Sequence, residues 1–219
     1  LDPGFEPLNW NALGTPDFIA TCDKGITKFE TTVNYVLKNA KLIDAIVEQI
    51  KTSNLVNVAA FSNRESVLSI EDLQEKIEKH RTAVVEELVK KYGSIGGLLI
   101  MIEQHVCETE TGSAEEMYSY YQFWEQKIYN ALTTMIANGM NHFQSILRDR
   151  SDIPSAVWKP AELPLIKVSA QMNAPNIVVS PHIQDIYQSL SKLLKNIPES
   201  AKSFVRWMDG HCKECEPII

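Results

Sequence analysis

Cysteine is scarce in this chain: Cys22, Cys107, Cys212 and Cys215 are the only four in 219 residues. A small secreted scaffold would carry more of them at closer spacing, so the sequence predicts reduced thiols rather than a disulfide framework. No Asn-x-Ser/Thr sequence occurs, which agrees with that expectation. Long apolar runs are also missing. The longest spans residues 98–102, far short of the ~20 residues that a membrane span needs, and no membrane partner is expected. Basic residues do not dominate: 28 acidic side chains oppose 21 basic ones, for a net charge of -7, and no basic stripe follows the chain. Nucleic acid is therefore excluded as an expected partner.

The usual catalytic signatures are absent as well. No Gly-Lys pair of any kind occurs, which removes the P-loop that would cradle nucleotide phosphates, so no ATP hydrolysis is expected of this segment. None of the five histidines has a glutamate three residues before it, which excludes the Glu-x-x-His pairs of a two-metal carboxylate bundle. His-Glu-x-x-His and Gly-x-Ser-x-Gly are missing too. The expectation is a chain that is not an enzyme and needs no cofactor. It opens on Leu1 without a signal-peptide pattern, which predicts a piece of something longer.

What is present is helix. An apolar content of 44% is ample for a core. A lead-in containing Leu8-Asn9-Trp10-Asn11 reaches Thr15-Pro16-Asp17, where Thr15 fits an N-cap and Pro16 the first helical position. Phe18, Cys22, Ile26, Phe29, Val33, Val36, Ala40, Ile43, Val47 and Ile50 then recur at steps of three and four, predicting one amphipathic helix to about residue 53. Ser69 with Glu71 and Asp72 resembles a cap for a second helix, which Gly93 should end. Ser94 can cap a third, in which Gly96 and Gly97 cost stability but permit close helix contact. Ser113-Ala114-Glu115-Glu116 reads as a capping box for a fourth, with Tyr120, Tyr121, Trp124 and Ile128 turned inward.

After Arg150 prolines multiply. Ile166, Val168, Ala170 and Met172 alternate with polar residues, and Asn173-Ala174-Pro175-Asn176 offers a turn before Ile177-Val178-Val179, which predicts a hairpin. Because a lone hairpin is marginal in water, the helices are expected to cover it. Ser180 and Pro181 are expected to start the last helix, and Pro198 to kink or split it. The fold class is mainly α: an elongated bundle of long helices with a small β-hairpin before the last one. Residues 1–150 are read as the bundle with its extended lead-in. Residues 151–219 are read as a proline-rich segment, the hairpin and a final kinked helix on the same bundle.

Three candidate sites follow. Phe204, Arg206 and Trp207 form an aromatic-basic cluster that is either a packing joint or a partner contact, since a guanidinium can stack on a ring and fork onto a carboxylate. Tyr118 and Phe123 fall off the inward stripe of the fourth helix and are candidates for a partner surface. His211, Cys212 and Cys215 could supply zinc ligands or sit in an ordinary turn; a closed zinc site wants four ligands, and no second Cys-x-x-Cys or His pair accompanies them. His105, near Cys107, and His142, beside Phe143, read as satisfied or exposed histidines rather than ligands.

Further strings carry a resemblance: Tyr121-Gln122-Phe123-Trp124-Glu125-Gln126-Lys127-Ile128, Leu163-Pro164-Leu165-Ile166-Lys167-Val168, Ala174-Pro175-Asn176-Ile177-Val178-Val179-Ser180-Pro181, and Phe204-Val205-Arg206-Trp207-Met208-Asp209-Gly210-His211-Cys212. Together with Leu8-Asn9-Trp10-Asn11, they make the chain similar, nearly end to end, to the N-terminal stem of dynein heavy chains of the axonemal type. The resemblance implies a noncatalytic segment of helical bundles ahead of the ATPase ring, located in the cytoplasm or cytoskeleton and in the ciliary or flagellar axoneme. It implies dynein intermediate and light chains as partners, together with another heavy chain or axonemal docking components. That family often has Thr where His211 stands, so the resemblance adds nothing to a zinc role. A freestanding helical adaptor is the competing expectation.

Overall fold

The computed structural model describes residues 14–62, 67–113, 116–148 and 165–205. Among them run α1 (Thr15–Lys51), α2 (Ala59–Ser62), α3 (Ile70–Glu108), α4 (Tyr118–Arg148), β1 (Ser169–Asn173), β2 (Asn176–Ser180) and α5 (Ile183–Val205). The chain is mainly α, with an antiparallel hairpin directly before the last helix, as the two periodicities predict. The described residues divide into two compact units, 14–46 with 94–123 and 47–93 with 124–205, and each of the three long helices contributes to both.

The helix ends follow local chemistry. At the start of α1 the Phe18 N–H donates to the Gly14 carbonyl (3.1 Å), so Gly14 rather than Thr15 holds the cap position. Ser69 caps α3 as expected, its hydroxyl accepting from the Asp72 N–H at 3.0 Å. The box before α4 closes reciprocally: the Ser113 N–H donates to the Glu116 carboxylate (2.8 Å) and the Glu116 N–H to the Ser113 hydroxyl (3.3 Å). For α5 the cap is His182, whose Nδ1 accepts from the Gln184 N–H (3.2 Å). Ser180 is not available for that role because it belongs to β2, paired with Ser169.

Neither the expected helix end at Gly93 nor a split at Pro198 occurs. One helix, α3, runs unbroken through Gly93, Gly96 and Gly97. Its buried residues Leu88, Ile95, Leu99, Ile102 and Val106 stay in one helical phase across the glycines, and burial of that stripe outweighs about 1 kcal/mol lost at each. Nor do these glycines serve close approach, since a Cβ at any of the three would meet nothing within 4 Å. Similarly α5 passes through Pro198 undivided. Leu193 and Ile197 before the proline and Ala201 and Phe204 after it are all buried in the second unit, which keeps the helix continuous despite the missing hydrogen bond.

Within the first unit, the buried stripe of α1 begins only at Thr32 and continues through Asn39 and Ile43. The predicted inward residues Phe18, Ile26 and Phe29 are exposed. At the far end of α3 the chain leaves the helix through a six-to-one bond from the Thr111 N–H to the Val106 carbonyl (3.2 Å) and one from the Glu110 N–H to the Cys107 carbonyl (3.0 Å), with Glu110 at φ 50°. That is a Schellman ending with glutamate in the left-handed position. Gly112 follows where a Cβ would come within 2.9 Å of a Val106 methyl, so a side chain there requires movement.

In the second unit α4 makes its closest approach at Gly139, where a Cβ would stand 3.2 Å from Leu55 Cβ and 3.3 Å from an Ile197 methyl. The hairpin register pairs Ser169 with Ser180 and Met172 with Ile177. Its faces are left open: Met172 is 83% and Ile177 66% exposed, where sequence reasoning expects the helices to cover them. Backbone pairing anchors its base instead. The Leu68 N–H donates to the Leu165 carbonyl (3.3 Å), and the Lys167 N–H to the Leu68 carbonyl (2.7 Å), so the residue before the α3 cap forms a parallel bridge with Ile166.

Candidate functional site

Five residues carry the sequence-based site. Phe204 lies near the end of α5, buried, with its ring meeting that of Tyr92 edge-on at a centroid distance of 5.3 Å and an angle of 64°. Such a pair adds about 1 kcal/mol beyond its buried area. Arg206 and Trp207 lie outside the described residues, as do His211, Cys212 and Cys215. Tyr118 and Phe123 stand on the first turns of α4 in the other unit, 46% and 55% exposed. Trp124 and Ile128 are buried, as their spacing predicts. Tyr121 is half-buried and its phenol donates to the Glu103 carboxylate at 2.5 Å. Burial, that hydrogen bond and the carboxylate charge all push the phenol pKa upward, so the hydroxyl remains a donor at physiological pH.

A polar clamp that sequence reasoning does not anticipate links α3 to α5 in the second unit. Arg81 donates twice to one Glu78 oxygen (3.0 and 2.6 Å) and once to the Ser200 hydroxyl (3.1 Å). The Asn196 amide donates to the other Glu78 oxygen (2.8 Å), and Ser200, itself buried, donates to the Asn196 carbonyl (3.2 Å). Burial alone would raise the Glu78 pKa; the hydrogen bonds from Arg81 and Asn196, with the charges of Arg81 and Lys192, outweigh it and hold the carboxyl below the usual carboxylate range. The sequence shows Glu78 and Arg81 three residues apart on one helix face, and Asn196 and Ser200 four apart on another. Nothing in the spacing says that the two faces meet.

The first unit has a counterpart around the α3 terminus. The Thr109 hydroxyl donates to the His105 carbonyl (2.7 Å) and accepts from the buried Thr32 hydroxyl (3.2 Å), joining α1 to α3. Tyr35 stacks on the His105 ring at 4.0 Å. His105 is thus a packing residue, its ring stacked and its buried Nε2 without a hydrogen-bond partner, where the sequence reading expects a satisfied or exposed histidine. Among the described residues no group of three or more His, Cys, Asp or Glu side chains could hold a metal ion, and no helix is long and apolar enough to cross a membrane.

Both clamps and the aromatic contacts act between helices; none presents a nucleophile, base and substrate cavity together. Their chemistry is that of holding helices in register.

No family model matches the chain. It is 40% identical over 214 residues to the dynein-1-alpha heavy chain of the flagellar inner arm I1 complex of Chlamydomonas reinhardtii, and 35% identical over 214 residues to human dynein axonemal heavy chain 10. Each alignment covers 98% of this chain and only 4% of the relative, so the chain spans a small fraction of the length of the curated relatives it matches. Identity at this level across nearly every residue places the chain in the dynein heavy chain family, as a segment of the axonemal type.

Proposed function

We propose that this chain is a noncatalytic stem segment of an axonemal dynein heavy chain, serving assembly with intermediate and light chains or with another heavy chain, and anchoring the microtubule motor in the ciliary or flagellar axoneme. The observation that carries the reading is the end-to-end match to two axonemal heavy chains, one of them named for a flagellar inner arm complex. Long capped helices clamped side by side by Glu78–Arg81–Asn196–Ser200 and Thr32–Thr109 support it, because close-packed helical interiors resist compression and so transmit force. Motor activity belongs, in this reading, to the rest of the heavy chain.

Affinity capture from ciliary extract tests the proposal, using the 219-residue chain after its helical content is checked by circular dichroism. Recovery of dynein intermediate or light chains, another heavy chain or axonemal docking components is expected. Failure to recover any of them with the folded chain overturns the assembly role.

A further inference from the structure

Between α2 and α3 in the second unit lies a cleft of about 350 Å³, lined by Asn57, Ala60, Phe61, Lys76, Ile77, Lys79, His80 and Ala83. Its base is apolar: Phe61 and Ile77 belong to the buried core, and Ala60 and Ala83 keep the walls low. Its rim is cationic. Lys76 and Lys79 are exposed on adjacent turns of α3, and no carboxylate lines the cleft among the described residues. Glu78, which lies between them in sequence, is committed to Arg81 and Asn196. The His80 Nε2–H donates to the Asn54 carbonyl (2.9 Å), which fixes the ring, and the Asn57 carboxamide accepts from the Ala60 N–H (3.3 Å), which fixes the start of α2.

From this geometry we infer that the cleft binds a short acidic peptide segment of a partner protein, which inserts one aliphatic or aromatic side chain over Phe61 and Ile77 and sets flanking carboxylates against Lys76 and Lys79. Charge complementarity selects the occupant. In a chain of net charge -7, the two formally charged side chains that line the cleft are both lysines, which complements an anionic partner at this place. Lysines are compact point charges on flexible stems, suited to carboxylates at variable positions rather than to one planar fork. The volume is at the small end for ligand pockets, which run from about 300 Å³ upward, and suits one large side chain with its backbone outside. The inference stands on the cleft alone and is independent of the assembly in which the chain serves.

Fluorescence anisotropy of a labelled decapeptide, a central Leu-Phe pair flanked on both sides by Asp and Glu, tests it against the 219-residue chain. Saturable binding is expected below about 1 mM peptide, the range of a contact built on one buried side chain. Lys76→Gln and Lys79→Gln should each weaken it about threefold, and the double Lys76→Glu/Lys79→Glu variant at least about tenfold. Ala83→Leu, which fills the cleft and leaves the charge alone, should weaken it as well. Reversing the exposed pair Lys38 and Lys41 in the other unit should leave binding unchanged. The assignment is overturned by absence of binding, by equal binding of the peptide with Asn and Gln in place of its acids, or by Lys38→Glu/Lys41→Glu weakening binding as much as the cleft variants. Circular dichroism confirms that each variant is folded, and the Gln variants keep the test decisive should a charge reversal fail to fold.

Discussion

Glu110 ends α3 with φ at 50°, a conformation that costs a residue with a Cβ about 1 kcal/mol and costs glycine almost nothing. Its carboxylate pairs with Lys28 at 3.5 Å, both side chains largely exposed, so little is lost with it. Glu110→Gly is therefore expected to stabilise the chain by about 1 kcal/mol, read as an upward shift of the urea midpoint with unchanged slope. Gly139 and Gly96 make the complementary case with one substitution. At Gly96 an added methyl meets open space, and Gly96→Ala should gain about 1 kcal/mol of helix propensity. At Gly139 it would press on Leu55 Cβ and a β-branched Ile197 methyl at once, neither of them the free end of a flexible side chain, and overpacking of about 1–3 kcal/mol outweighs the same propensity gain. Opposite shifts in melting temperature for the two alanine variants are expected; shifts of the same sign would show that the Gly139 approach relaxes.

At the scale of elements, pairing of α3 with α5 depends on a carboxylate staying charged. Glu78 has its pKa lowered in the fold, so the clamp contributes stability that is fully present above the unfolded carboxyl range and is lost as pH falls through the depressed folded value. Urea midpoints measured from about pH 6 down to about pH 3 should fall for the wild-type chain, and Glu78→Gln should flatten part of that fall while lowering the midpoint at neutral pH. An identical pH profile for the variant would remove Glu78 from the acid sensitivity of the fold. The sequence displayed both halves of this clamp as ordinary helical i,i+3 and i,i+4 spacings. It also displayed the hairpin, because alternation at residues 166–172 and a turn string are local signals. Helix interruption was misleading for a related reason: glycine and proline report a local cost, whereas the continuity of α3 and α5 was set by buried stripes on both sides of the interruption.

For the molecule as a whole, the weight falls on what is exposed. Phe18, Ile26 and Phe29 on α1, and Met172 and Ile177 on the hairpin, are large apolar side chains open to solvent. Patches of this kind drive association when a chain is isolated. Sedimentation equilibrium of the 219-residue chain should show concentration-dependent self-association, and Ile26→Ser with Phe29→Ser should reduce it without lowering the melting temperature, since neither residue is buried. A strictly monomeric wild-type chain, or a destabilised variant, would count against that view of the α1 surface.

Sequence by itself determined the helical class, the Ser69 and Ser113 caps, the hairpin position and the kinship with axonemal dynein heavy chains, because each is written in spacings of a few residues or in residue-by-residue identity. Only the tertiary structure decided that the fully buried stripe of α1 starts at Thr32, that Gly139 rather than the glycines of α3 marks the close helix approach, and that Lys76 and Lys79 border an apolar cleft. Periodicity says which residues share a face of a helix. What lies against that face is fixed by contacts between segments far apart in the chain, and no local pattern encodes them.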